Sequence, residues 1–228
     1  MRAPSRSVMW LVIGWSGVGL LVAASVAQRD VPTASLYLDP AATSSARVWT
    51  GFFTELGLML WVVAATAAAF LWAANSRGPA GDRSEARLGM SAALLTAMLW
   101  LDDQFAVRNW LLPRVLGAPD SAGKVIYLTL GVAWVSWNWR AILRADTTIV
   151  AAAALGLGFS EAVDLALAEQ YTSGRTILEE APKLLGIVAW ALFFLLRLSQ
   201  TLCRTVEHAP APPPEQVAQR GTGPRVRP

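Results

Sequence analysis

Apolar residues along this chain come in six runs, each about 20 residues long and separated by short polar stretches. At about 1.5 Å rise per residue, such a run crosses roughly 30 Å of hydrocarbon as a helix. The pattern therefore predicts an all-α, polytopic membrane bundle of six transmembrane helices, at about 8–27, 48–74, 88–107, 124–143, 148–167 and 181–200. The stretches between them read as loops: 28–47 is rich in Pro, Asp, Ser and Thr, 75–87 holds Arg77-Gly78-Pro79, and 113–122 holds Pro113, Gly117 and Pro119. The membrane domain occupies 1–203. From Arg204 the composition turns to Pro, Ala, Gln, Gly and Arg, including Ala209-Pro210-Ala211-Pro212-Pro213-Pro214. Such a segment buries too little apolar area to offset its ordering entropy, so 204–228, with His208, is expected to be a disordered cytoplasmic tail.

Composition agrees with the pattern and removes several chemistries. Of the 228 residues, 54% are apolar and 15% charged, against about 25% charged in soluble domains. One cysteine and one histidine leave no intrachain disulfide, no Cys/His zinc site and no His-ligated haem. Gly156-Leu157-Gly158 lies within an Ala-rich helical run, so it reads as a close-packing surface and no nucleotide site is expected. Nucleic acid is likewise not an expected partner; membrane lipids are, and other membrane subunits are the alternative. Trp10, Trp49, Trp72, Trp110 and Trp139 fall near the expected interfaces, where indoles anchor spans. Trp61, Trp100, Trp134 and Trp190 lie deeper and read as packing. Cys203 sits beside the inner interface, its thiol unmodified by default.

Orientation follows from Lys and Arg, of which 12 of 19 fall on the side of the N-terminus, the second and fourth loops and the tail. Both termini are thus expected in the cytoplasm. The first span ends in Ser25-Val26-Ala27, acceptable to signal peptidase. Its length and the small-residue stripe Gly14, Gly17 and Gly19 favour a retained helix over a cleaved leader.

Seven of the 16 carboxylates fall inside or at the mouths of spans: Glu55, Asp102, Asp103, Glu161, Asp164, Glu179 and Glu180. Counted from the outer ends of their helices, Glu55 and Glu161 lie about 10 Å down, Asp102, Asp103 and Asp164 about 5–8 Å, and Glu179, Glu180 and Lys183 at the surface or one turn below it. Four helices thus deliver acids to one shallow outer layer. Glu161 and Asp164 share a helix face at i, i+3, as do Glu180 and Lys183. An ionisable group inside a membrane faces a bundle interior or wet cavity, because facing lipid costs from about 2.5 to more than 10 kcal/mol. Seven formal negative charges face only Lys183 and Arg108, so the layer is expected to recruit protons or cations. Lys124 and Tyr127 are placed to join it.

Carboxylates without imidazole or thiolate suit Ca²⁺, Mg²⁺ or Mn²⁺. The expected ligands are Asp102, Asp103, Glu161 and Asp164, with Glu55 at the floor and Glu180 at the mouth, and with Lys183 or Arg108 orienting an anionic group. A bound cation of this kind would activate water against a lipid; protons are the other occupant. A purely structural network is the competing reading, pairing Asp102 or Asp103 with Arg108 and Glu179 or Glu180 with Lys183. It would suit a non-catalytic accessory subunit. Proton-coupled transport ranks third, because breaks inside helices, which many transporters use, are expected only at Gly156 and Gly158.

At Leu101-Asp102-Asp103-Gln104-Phe105, and at Leu178-Glu179-Glu180-Ala181-Pro182-Lys183-Leu184-Leu185-Gly186-Ile187 with Trp190, the chain resembles an uncharacterised group of bacterial multi-spanning proteins. That resemblance implies a place in a bacterial inner membrane and no known activity. Acids near one membrane face are more loosely similar to the ceramidase and adiponectin-receptor superfamily of membrane hydrolases. That family's zinc-binding histidines have no counterpart here, so no catalytic residue carries over.

Overall fold

The computed structural model describes residues 6–28, 30–37, 50–76, 82–105, 107, 112–117, 120–145, 147–167 and 173–207. Among them are seven α-helices and one 3-10 turn. Helix α1 is Arg6–Ala27, the 3-10 turn Thr33–Leu36, α2 Phe52–Ser76, α3 Arg83–Phe105, α4 Leu112–Leu116, α5 Asp120–Leu143, α6 Thr147–Ala166 and α7 Ser173–Glu207. Each expected span corresponds to one long helix. Four of these, α1, α2, α6 and α7, are long and apolar enough to cross a membrane.

The boundaries differ where a backbone device intervenes. Gly51 takes the left-handed conformation at φ 75, which no β-carbon opposes, and its amide donates to the Ser35 carbonyl at 2.9 Å. Helix α2 therefore starts at Phe52, later than expected. Helix α4 occupies a stretch read as loop; Pro113 is tolerated in its first turn, and Gly117 (φ 62) ends it by donating to the Pro113 carbonyl at 3.0 Å. Helix α7 starts eight residues before the expected span and runs 35 residues, which places Pro182 inside it. Residues 204–207, expected in the disordered tail, form its last turn.

Helix α2 packs on α3 and α7, α6 on α7, α1 on α7, and α5 on α3. The tightest contacts are at glycines. A β-carbon on Gly89 of α3 would lie 2.6 Å from the Trp72 amide nitrogen and 2.7 Å from the Ala68 carbonyl of α2. One on Gly156 of α6 would lie 2.7 Å from the Pro182 carbonyl, and one on Gly186 of α7 2.8 Å from the Leu157 nitrogen. Gly14 brings α1 against Val188, whereas Gly17, Gly19 and Gly158 face open space. The expected glycine stripe of α1 thus reduces to Gly14. Around these crossings Trp61, Leu71, Leu88, Ile149, Ile187, Phe193 and Phe194 are buried.

Long side chains bridge α3 to α7 in three rungs. Arg197 pairs with Glu85, the Trp190 indole donates to Thr96 Oγ1 at 2.9 Å, and Lys183 donates to Asp103 at 2.9 Å. Numbers rise along α3 as they fall along α7, so the helices are antiparallel. The outer two rungs are 18 residues apart on α3, about 27 Å of helix. Between them, Trp134 and Asn138 of α5 both donate to the Ser91 hydroxyl at 3.1 Å.

Candidate functional site

The end of the bundle where α3 and α6 finish and α7 begins gathers the charged residues singled out in the sequence. Asp103, near the end of α3, accepts from the Lys183 ammonium at 2.9 Å through Oδ1 and from the Trp61 indole at 2.8 Å through Oδ2. Asp164, near the end of α6, accepts from Lys124 of α5 at 2.5 Å and from Arg175 of α7 at 3.0 Å. Arg175 also reaches Glu179, one turn along the same helix, at 3.5 Å. Glu180 lies within electrostatic range of Lys183, Asp103, Asp164 and Glu161. Four helices, α3, α5, α6 and α7, meet here, with Trp61 contributed by α2.

The segment after α1 caps this end. Gln28 donates to the carbonyls of Ser25 and Val31 and accepts the Val31 amide at 2.8 Å. Thr33 reaches the Ser25 carbonyl at 3.2 Å. These ties deliver Tyr37 onto Phe53, stacked at 4.5 Å, with its hydroxyl 3.4 Å from that of Ser25. Burial pushes the Tyr37 phenol above its ordinary pKa, and the nearby Glu180 charge adds to the shift.

Of the expected site residues, Asp103, Glu161, Asp164, Glu180 and Lys183 come together. Asp102 is buried at 7% exposure on the adjacent face of α3, since consecutive helical residues point about 100° apart. Glu55 does not form the floor: it sits in the first turn of α2 with an exposed side chain, because Gly51 sets the helix start. The Trp61 indole takes that place beneath Asp103. Arg108 lies outside the described residues. The pairings also differ from those expected, as Lys183 bridges to Asp103 on another helix and Glu179 meets Arg175.

Lys124 fulfils its expected place. Arg175 lies before the expected sixth span and stands in the first turn of α7. Nothing local marks Trp61 as the partner of an acid 42 residues away. Another ion pair, Glu85 with Arg197, lies at the opposite end; Glu85 falls in the expected loop 75–87 and stands instead in the first turn of α3 at 8% exposure.

Chemically, the outer layer is a set of carboxylates held by donors. Both oxygens of Asp103 and both of Asp164 accept a hydrogen bond from a cation or an indole. A divalent cation using either residue would compete with Lys183, Lys124 or Arg175. A proton needs only one oxygen of one acid.

These features define an all-helical protein with four helices of membrane-crossing length and apolarity. The chain belongs to the family described as a domain of unknown function (DUF8692), whose model matches residues 10–196. No curated protein matches the chain, and no solved structure does.

Proposed function

We propose that this chain is a six-span protein of the bacterial inner membrane, with both termini cytoplasmic, whose outer layer of carboxylates binds and releases protons. One observation carries the reading. Among the described residues, Asp103, Glu161, Asp164, Glu179 and Glu180 are gathered with Lys124, Arg175 and Lys183. Carboxylates outnumber cations in that group, and like charges confined together titrate as a coupled set that takes up protons. Glu180 is the acid we assign to that uptake, with Asp103 holding Lys183 and Asp164 holding Lys124 and Arg175 in place.

Two further features support it. The Glu85–Arg197 and Asp103–Lys183 rungs stand about 27 Å apart on α3, close to the roughly 30 Å of bilayer hydrocarbon, which supports α3 as a span despite its charged ends. Helix α5 exposes Val125, Leu128, Val132, Trp137 and Trp139, as a lipid-facing helix does. In addition, Pro182 lies inside α7 next to Lys183. It lacks the amide that would bond the Leu178 carbonyl, so α7 runs on through Pro182 with one backbone bond missing beside an ionisable residue. Proton-coupled transport is one setting in which such uptake would be used.

Infrared difference spectroscopy between neutral and mildly acidic pH tests the assignment. The carboxylic-acid carbonyl stretch is expected to grow on acidification and to shrink in Glu180→Gln. A band unchanged by that substitution contradicts the assignment. The second reading, a structural layer in an accessory subunit, is favoured by the saturated oxygens of Asp103 and Asp164; it predicts no acid-dependent band and stoichiometric co-purification with a larger complex. Binding of Ca²⁺, Mg²⁺ or Mn²⁺ would appear instead as cation-dependent thermal stabilisation lost in Glu161→Gln.

A further inference from the structure

The seam between α3 and α5 is basic at the end where Glu85 and Arg197 pair. Inside the seam, Ser91 accepts from Trp134 and Asn138 of α5. One turn earlier on the same face of α3, Arg87 donates to the Trp137 carbonyl at 3.3 Å, and its guanidinium lies 6.0 Å from the centre of the Trp137 ring. Arg140, at i+3 from Trp137 and so on the same face of α5, lies 5.7 Å from the Trp139 ring. Both arginines are exposed. The acids at the start of α3 are engaged elsewhere. Glu85, about 200° round the helix from Arg87, pairs with Arg197 of α7, and Asp82 accepts the Ser84 amide at 2.7 Å. Among the described residues, no carboxylate bridges to Arg87 or Arg140.

The surface beside these arginines selects the anion. Trp137 and Trp139 are exposed, and Met90 and Leu94 continue the Arg87 stripe of α3 at i+3 and i+7, exposed as well. On α5, Leu130 continues the Trp137 stripe at i−7 and is also exposed. Both stripes run from the level of the Glu85–Arg197 rung toward the middle of the bundle. The seam is thus cationic at the membrane boundary, aromatic beside it and apolar beneath, which is the order of phosphate, glycerol and acyl chain in a phospholipid. A guanidinium fork matches two oxygens of a phosphate, and contact with an indole orients it before the anion arrives. A zwitterionic headgroup would bring its own cation to two guanidiniums with no carboxylate to receive it. We infer that Arg87 and Arg140 hold the phosphate of an anionic phospholipid, with Trp137 between them and the acyl chains along Met90, Leu94 and Leu130. The site rests on the membrane placement proposed above and not on proton uptake.

Native mass spectrometry of the full chain tests it, after extraction from vesicles of phosphatidylglycerol and phosphatidylcholine mixed in equal parts. The wild type is expected to retain phosphatidylglycerol in preference to phosphatidylcholine. Arg87→Gln with Arg140→Gln should lower that preference by about tenfold or more. Arg140→Gln alone removes only a ring contact among the described residues and should lower it about fivefold, which decides the matter if the double variant does not fold. Arg6→Gln, which removes an exposed arginine of α1, should keep the preference. Equal preference in wild type and Arg140→Gln overturns the site. So does an equal loss in Arg6→Gln, because the preference would then follow net charge alone. Either failure leaves the infrared test of the outer layer untouched.

Discussion

Removing the Lys183 ammonium should cost more than removing both it and its partner. Among the described residues, Asp103 in Lys183→Met keeps the 2.8 Å bond from Trp61, and an anion 19% exposed at its side chain loses the cation that it bridges to. Breaking a fully buried pair from one side costs about 3–5 kcal/mol; the partial exposure here reduces the expected loss to about 2–3 kcal/mol. In Lys183→Met with Asp103→Asn, the buried charge is gone, and the Asn carbonyl still accepts from Trp61 as a neutral group. That double variant should fall within about 1 kcal/mol of wild type, since replacing both members of a buried pair is often near neutral. The coupling energy is then about 1–2 kcal/mol or more, within the range for residues in direct contact. Reversible unfolding in mixed micelles, followed by circular dichroism, measures all three free energies. A loss below about 0.5 kcal/mol for Lys183→Met, or a double variant equal to the sum of the singles, would refute the bridge as the organiser of the layer.

Other expectations follow from named contacts. Gly186→Leu should separate α6 from α7 and destabilise by at least the 1–3 kcal/mol typical of overpacking, because its β-carbon would lie 2.8 Å from the Leu157 backbone nitrogen; unchanged stability in the same unfolding assay contradicts that crossing. Arg197→Ala leaves Glu85 buried and unpaired at the other end and should cost about 3–5 kcal/mol, with Glu85→Gln in the same background recovering a large part of the loss. Cys203 is exposed and is the chain's one cysteine, so a membrane-impermeant maleimide should label it only in inverted vesicles; labelling of intact spheroplasts would reverse the proposed orientation.

The helices themselves were legible because each is a long apolar run, and the run length is set by the membrane thickness. The gathering of Asp103, Glu161, Asp164, Glu180 and Lys183 was legible too, since depth follows from counting residues along antiparallel helices. Partner choice was not. Lys183 could equally face Glu180 at i, i+3 or cross to Asp103 on α3, and only the packing of α2, α3 and α7 selects the second. The same limit hid Trp61 and the Glu85–Arg197 pair, whose members are 42 and 112 residues apart. The early start of α7 was hidden for a different reason. Hydropathy ends a span where charge begins, so the expected span starts at 181 with Glu179 and Glu180 at its mouth and Arg175 before it, although all three stand within α7. With the expected span starting at 181, Pro182 falls in its first turn, where proline is tolerated, whereas in α7 it lies in the interior. Glu55 was misplaced by one backbone feature, the positive-φ Gly51, which moves the helix start and lifts the acid out of the layer.

Counting protons tests the central claim most directly. Purified protein in weakly buffered micelles, titrated from neutral to mildly acidic pH, should take up more protons than Glu180→Gln, the difference approaching about one per chain, with both forms folded at each end of the titration. Identical uptake by wild type and Glu180→Gln would contradict the account and leave the outer layer as an ion-paired structural clasp.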